Sequence, residues 1–269
     1  MKIYKLNKLI DVDTLYRAET DKAYIIRAVG TDSSSKATFK VAGVPCLEVV
    51  SDIAPLEKTS SNLYGPLNLG NYYIVIPQSK TFKFEGASGS KMRIIGEIIE
   101  LGPNESLPSE YLKRYAEQGK RYLSYVSGSF EKGTDTAWPA DEENTVLTYT
   151  TPVKERYIFN NILGATVSNV SGGLSRGQFA IRLYVDDKPY DISESIMGKP
   201  GIEVIGCHLP PTESTTFEPY TRKDRFIDLT EGKTLKVTAV NISGSSITPD
   251  AGTSLTVKTI LVCEKHIFE

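Results

Sequence analysis

Apolar and polar residues alternate with a period of two through the second half of the chain. In Phe179-Ala180-Ile181-Arg182-Leu183-Tyr184-Val185 the side chains at 179, 181, 183 and 185 share one face while Arg182 and Tyr184 take the other, which predicts a half-buried strand. Asp186-Asp187-Lys188-Pro189 then predicts a turn. Leu235, Val237 and Ala239 alternate with Lys236 and Thr238, and Leu255, Val257, Thr259, Leu261 and Cys263 carry the pattern toward the end. In the first half, Tyr24 to Val29, Thr38 to Val44, Tyr72 to Ile76, Thr81 to Phe84 and Met92 to Ile99 are β-branched or aromatic runs bounded by Gly, Pro or Ser, and read as strands. Tyr72-Tyr73-Ile74-Val75-Ile76, apolar on both faces, predicts a strand covered on both sides.

The two halves share a rhythm. Leu67-Asn68-Leu69-Gly70 and Leu229-Thr230-Glu231-Gly232 each open a strand, and each is followed by a Gly/Ser-rich turn and a last strand, Met92 to Ile99 or Leu255 to Cys263. This predicts an all-β chain of two tandem antiparallel β-sandwich domains, over residues 1–104 and 146–269.

Between them, Pro108 to Val126 breaks the period. Tyr111, Leu112, Tyr115, Ala116, Tyr122, Leu123 and Val126 fall on one helical stripe, with Pro108 and Glu110 suited to a first turn, so the spacing predicts a single α-helix weakened at Gly119. The polar stretch from Glu131 to Asn144 follows, and 105–145 reads as a connector, part helix and part loop. In the second half, Ile202-Glu203-Val204-Ile205 reads as a strand, and residues 209–220 read as a long excursion of the kind that makes contacts.

A chain of 269 residues holds two domains of ordinary size. Its 31 basic and 33 acidic residues are scattered and leave a net charge of −2, which gives no basic field for nucleic acid. Lysines interrupt the apolar residues of Met1-Lys2-Ile3-Tyr4-Lys5-Leu6-Asn7-Lys8, and no apolar run reaches the roughly 20 residues that span a bilayer. The expectation is a soluble chain made in the cytoplasm without membrane association. Cys46, Cys207 and Cys263 include no C-x-x-C pair and predict neither a disulfide framework nor a zinc knuckle. The sequons at Asn104, Asn169 and Asn241 carry no weight without a secretory route.

Reactive chemistry is sparse. His208 and His266 are the only histidines, and Cys207 beside His208 would face the opposite way on a strand, so the pair could not share an ion. Asp11/Asp13, Asp141-Glu142-Glu143 and Asp186-Asp187 lack the spacing of a calcium loop and read as turn and surface carboxylates. Ser33 and Lys36 match a serine/lysine nucleophile spacing inside a serine run that reads as a turn. No catalytic residue, metal or cofactor is assigned. Tyrosine is the richer signal, with 15 copies against one Trp. A tyrosine pairs contact area with a polar tip, so Tyr111, Tyr115, Tyr122 and Tyr125, with Trp138, Phe217 and Tyr220, are the candidate interface residues. Sealing the helix onto its own domain is the competing reading for the tyrosines, and a local plug that for Trp138.

The segment from Tyr149-Thr150-Thr151-Pro152-Val153 through Phe179–Asp186 to Asp228-Leu229-Thr230-Glu231-Gly232-Lys233-Thr234-Leu235-Lys236-Val237-Thr238-Ala239-Val240-Asn241 resembles the jelly-roll-like sandwiches of viral and phage structural proteins. It covers about half the chain and rests on pattern. The resemblance implies a non-catalytic virion component of the capsid auxiliary, decoration or minor capsid type. Its implied partners are copies of itself and other virion proteins such as the major capsid protein. The alternatives are a carbohydrate-binding sandwich, stacking glycans on Trp138 and Tyr220, and a tail or baseplate receptor-binding protein. A glycosidase with paired carboxylates stands last.

Overall fold

The computed structural model describes residues 1–57, 65–159, 162–171, 178–190, 195–196, 199–200, 202–203, 220–221 and 227–268. The fold is all-β, built from antiparallel sheets with one short α-helix among the described residues. It divides into two compact units, Met1–Ser124 with Glu264–Glu269, and Tyr125–Cys263.

In unit 1 the strands are β1 (Lys2–Asp11), β2 (Tyr16–Arg17), β3 (Lys22–Thr31), β4 (Ala37–Val41), β5 (Val44–Val49), β6 (Leu67–Asn68), β7 (Ile74–Ile76), β8 (Thr81–Glu85) and β9 (Lys91–Glu100). One sheet runs β1-β9-β3, with β6 and β7 both pairing the far side of β3, and the other runs β2-β8-β4-β5. With β6 and β7 counted as one interrupted strand, the first sheet holds the first, eighth, third and sixth strands and the second holds the second, seventh, fourth and fifth. That interleaving is the strand order of an eight-stranded jelly roll, in which hairpin-like pairs alternate between two facing sheets. The core lies between them: Leu6, Ile10, Ile26, Ile74, Ile76, Met92 and Ile94 of the first sheet pack with Phe39, Val41, Leu47, Phe82 and Phe84 of the second. Register explains the second layer, because Phe39 pairs with Phe84 and Val41 with Phe82, which puts four large apolar groups on one face.

The helix α1 (Ser109–Glu117) follows, then β10 (Arg121–Glu131). Here the structure corrects the expected helix over Pro108–Val126. Tyr122, Leu123, Tyr125 and Val126 lie in a strand and are buried. The helix stops before Gly119, whose missing Cβ would lie 2.5 Å from Cγ1 of Val44. The aromatic and β-branched run that follows suits a strand better than a second helical turn. Nor is the helix a link between units. The chain leaves unit 1 between Ser124 and Tyr125, inside β10, and returns between Cys263 and Glu264. The expected division into 1–104, 105–145 and 146–269 therefore differs from the observed units: residues 105–124, α1 included, belong to unit 1, residues 125–145 to unit 2, and Glu264–Glu269 to unit 1.

Unit 2 continues with β11 (Glu143–Thr150), β12 (Glu155–Phe159), β13 (Ile162–Ser168), β14 (Phe179–Val185), β15 (Lys188–Tyr190), β16 (Ser195–Ile196), β17 (Lys199–Pro200), β18 (Ile202–Glu203), β19 (Tyr220–Thr221), β20 (Ile227–Leu229), β21 (Thr234–Asn241) and β22 (Thr256–Ile267). One sheet runs β11-β21-β14-β15, with β18 also pairing β14, and β16 and β17 form a separate ribbon. In the other, β10 pairs β22, both β12 and β13 flank β22, and β20 and β19 pair β12 and β13 in turn. Counting β12 with β13, and β19 with β20, as interrupted strands gives the jelly-roll order a second time. The expected strands at Phe179–Val185 and from Leu235 are β14 and β21, and Ile181↔Ala239, Leu183↔Val237 and Val185↔Leu235 face one another across them. The Asp186-Asp187 turn has positive φ at both residues (48° and 60°), the two-residue hairpin geometry that matches strand twist. Val204 and Ile205, Cys207, His208 and the excursion up to residue 219 lie outside the described residues.

Candidate functional site

The two outer edges of the first sheet of unit 1 are treated differently by the chain. At the β7 edge, helix α1 and the turn after it supply a substitute strand. The backbone N–H of Val75 donates to Gln118 Oε1 at 2.9 Å, and Gln118 Nε2 donates to the Val75 carbonyl at 3.0 Å. One carboxamide thus completes both hydrogen bonds that a further strand would make. One turn earlier, Arg114 Nε donates to the Tyr73 carbonyl at 2.9 Å and its Nη1 to the Arg121 carbonyl at 3.2 Å. Arg114 is 8% exposed, its guanidinium lies 5.8 Å from the ring centre of Tyr72 and 6.0 Å from that of Tyr73, and burial lowers its pKa.

Above this edge, an apolar cluster of Ala23, Ile25, Val75, Ile99, Leu101 and Leu107 is covered by Tyr73, Tyr111 and Tyr115. A register shift between Ile26 and Ala28 leaves Arg27 without a partner on β9. Bulges of this kind re-aim a side chain. Its guanidinium sits 4.5 Å from the Tyr73 ring and 5.9 Å from the Tyr111 ring, and Nη2 is 3.6 Å from the Glu97 carboxylate. Tyr111 meets Tyr73 edge-on at 6.0 Å.

Among the described residues the β1 edge has no such cover before Asp11, where Tyr16 meets it. Among the described residues β1 pairs only with β9, over ten residues, and ends its sheet. The Val12 N–H donates to Ser90 on the β9 side, whereas the Asp11 N–H donates outward to Tyr16 Oη at 3.0 Å. Alternation along an antiparallel strand then points the backbone N–H and C=O of Ile3, Lys5, Asn7 and Leu9 at the open side. Leu6 and Ile10 fill the core, while Met1, Ile3, Tyr4 and Leu9 are exposed at 56%, 58%, 46% and 40%. These four are a large share of the exposed large apolar residues that the structure describes.

The candidate interface residues fall into three groups. Tyr111 and Tyr115 are half-buried against the outer cluster, so the helix tyrosines do pack on their own unit. Tyr122, Tyr125 and Trp138 are buried. Trp138 is fully enclosed, 5.3 Å from Phe130 and 6.5 Å from Phe179, and its Nε1 donates to the Glu142 carbonyl at 3.1 Å. It is a plug in unit 2 and offers no face to a sugar ring. Asn241, also fully buried, fastens that plug: its Nδ2 lies 2.8, 3.0 and 2.8 Å from the carbonyls of Trp138, Pro139 and Ser245. Phe217 lies outside the described residues, and Tyr220 is placed on β19. The β1 residues escaped the sequence reading because lysines at 2, 5 and 8 masked the alternation of Leu6 and Ile10.

Several of the other polar candidates make local pairings within their own unit. Asp186 Oδ1 accepts from the Thr234 N–H at 3.0 Å and its other oxygen pairs with Lys233 at 2.5 Å. Glu142 is paired with Lys132. Ser33 Oγ is buried between the Ala87 N–H and the Ser35 carbonyl, both at 2.9 Å, while Lys36 reaches Glu48 at 3.1 Å. Glu264 is held by Arg121 at 3.2 Å and lies 3.5 Å from His266. Burial tends to raise the Glu264 pKa, but hydrogen bonds from Tyr72 and His266 and the Arg121 charge leave it lowered.

No family model matches the sequence, and no curated protein matches it. Solved structures that align with it include a protein of an archaeal virus described under a triple jelly-roll fold and turret assembly, at 13% identity and a TM-score of 0.26. That alignment covers 98% of this chain and 56% of the other, so the chain spans little more than half of that relative's length. The major capsid protein P2 of bacteriophage PM2 aligns at 9% identity and a TM-score of 0.28, over 98% of each chain. The ANXUR1 extracellular domain of Arabidopsis thaliana aligns at 10% identity and a TM-score of 0.25, over 97% of this chain and 82% of that one. At these scores the likeness carries no weight for function.

Proposed function

We propose that this chain is a non-catalytic structural protein of a virus or phage particle, of the capsid auxiliary, decoration or minor capsid type. It acts through contacts with copies of itself and with other shell proteins. The observation that carries this reading is the repetition of the eight-strand jelly-roll order in both units of one chain. Jelly rolls recur in viral capsids and in lectins, and the particular residues of this chain separate the two readings. The enclosure of Trp138 weighs against the lectin side, because it removes one of the two aromatic residues, Trp138 and Tyr220, expected to stack a glycan. The uncovered β1 edge weighs toward assembly, since long edge strands are ordinarily covered or paired.

Quantitative mass spectrometry of particles purified from the source tests this. The expected result is this chain at a fixed, multiple copy number per particle through successive purification steps. Loss of the chain on purification, or turnover of a substrate abolished by one carboxylate substitution, overturns it.

A further inference from the structure

We infer that the β1 edge pairs with β1 of a second copy of this chain, antiparallel across a twofold axis, so that two first sheets join into one. The inference deepens the assembly reading by naming the surface and the occupant. A twofold axis perpendicular to the sheet keeps both cores on the same side, so odd residues face odd residues, and the outward-pointing backbone groups of Ile3, Lys5, Asn7 and Leu9 meet their own kind. One register satisfies the side chains as well. With Leu6 on the axis, Ile3 lies opposite Leu9 of the other copy, Lys5 opposite Asn7, and Tyr4 opposite Lys8. Both exposed aliphatic residues are then covered twice over, the Lys8 ammonium, which rests 4.8 Å over the Tyr16 ring of its own chain, comes beside Tyr4 of the other, and no two lysines face each other.

Neighbouring registers are worse. A slip of two residues one way sets Lys2 against Lys8 and Lys5 against Lys5, like charges in direct opposition. The slip the other way sets Ile3 against Asp11 and Leu9 against Lys5. The lysines that would deter indiscriminate edge pairing therefore select a register. The second edge of the same sheet cannot compete, because Gln118 occupies it at Val75.

The test uses full-length chains carrying Tyr4→Cys or Lys8→Cys, mixed in equal amounts and oxidised with diamide. Tyr4 and Lys8 face each other as a non-hydrogen-bonded pair, the closer of the two antiparallel spacings, which suits a disulfide. The expected product is a covalent dimer joined through residues 4 and 8, mapped by mass spectrometry, formed by the mixture and at least tenfold less by either chain alone. Asn7→Pro, which removes an outward N–H and spares the β9 ladder, should lower the yield at least tenfold. Wild-type protein should sediment as a dimer that Leu9→Lys converts to a monomer. Folded wild type that stays monomeric at high concentration, or a mixture giving 4–4 and 8–8 links as readily as 4–8, overturns the inference. The assembly reading fails separately: a chain that is abundant in particles but lacks the 4–8 link keeps that reading and loses this one, and a linked dimer of a chain absent from particles does the reverse.

Discussion

Gln118 pairs with Val75 as a strand would, through one acceptor and one donor at 2.9 and 3.0 Å. Both atoms of the carboxamide are buried, and so is the backbone they satisfy. Replacing Gln118 with Leu keeps volume near that of the amide and leaves a buried N–H and C=O unpaired. Each unsatisfied group costs about 1–3 kcal/mol, so Gln118→Leu should lower the stability of unit 1 by about 2–6 kcal/mol. Urea denaturation followed by far-ultraviolet circular dichroism reads the loss, and an unchanged midpoint would show that water or a rearranged strand replaces the amide.

The single tryptophan makes unit 2 separately visible, since Trp138 is enclosed there. Trp138→Ala should cost about 3–5 kcal/mol as a large cavity in a packed core. The variant should show no selective loss on a glycan array, because a buried ring has no ligand to lose. Selective loss of one glycan with the fold intact would restore the stacking role.

Asn241 provides a sharper probe of the same loop. Its amide nitrogen bridges the carbonyls of Trp138, Pro139 and Ser245 from a fully buried position. Asn241→Ala should destabilise unit 2 by about 2–4 kcal/mol. Its Trp138 emission should shift to the red as the 133–142 segment opens to water. Emission identical to wild type would mean that packing on Phe130 and Phe179 alone holds the ring.

Glu143 supplies a pH dependence. Burial acts to raise its pKa, but hydrogen bonds from Thr238 at 2.5 Å and Tyr184 at 2.7 Å and the Arg182 guanidinium at 2.5 Å outweigh it, so the net shift is downward. A carboxylate held below its unfolded value binds fewer protons in the folded state. Its stabilisation is present above the ordinary carboxylate range near about 4.3 and is lost as pH falls through the lowered folded value. Urea midpoints from Trp138 fluorescence should therefore drop between pH 5 and acid values in wild type, and less steeply in Glu143→Gln. Parallel curves would assign the acid sensitivity to other carboxylates.

What could be read from the sequence tracks where burial is one-sided. β14 and β21 appear where the period of two placed them: Phe179, Ile181, Leu183, Leu235, Val237 and Ala239 turn to the core, while the other face carries Arg182, Tyr184 and Lys236 at one end and a small buried cluster of Ala180, Val240 and Ile242 at the other. The helix was harder to read. Its buried face is Tyr111, Arg114, Tyr115 and Gln118, with Leu112 exposed at 46%, so two polar residues that satisfy backbone groups occupy the positions an apolar stripe would mark. Hydrophobic periodicity has no means of recognising a side chain buried for its hydrogen bonds. The run 122–126 could extend either a helical or a strand pattern, and tertiary packing decided it, with Leu123 in the core of unit 1 and Val126 in that of unit 2. The pairing that interleaves the first strand with the last is non-local, and no spacing along the chain encodes it.

Cryo-electron microscopy of particles from the source tests the central claim most directly. Each copy of this chain should appear as two eight-stranded jelly rolls whose sheets follow the orders β1-β9-β3-β7 with β2-β8-β4-β5, and β10-β22-β13-β19 with β11-β21-β14-β15. Particles fully accounted for by other chains, with no density fitting either sandwich, would contradict it.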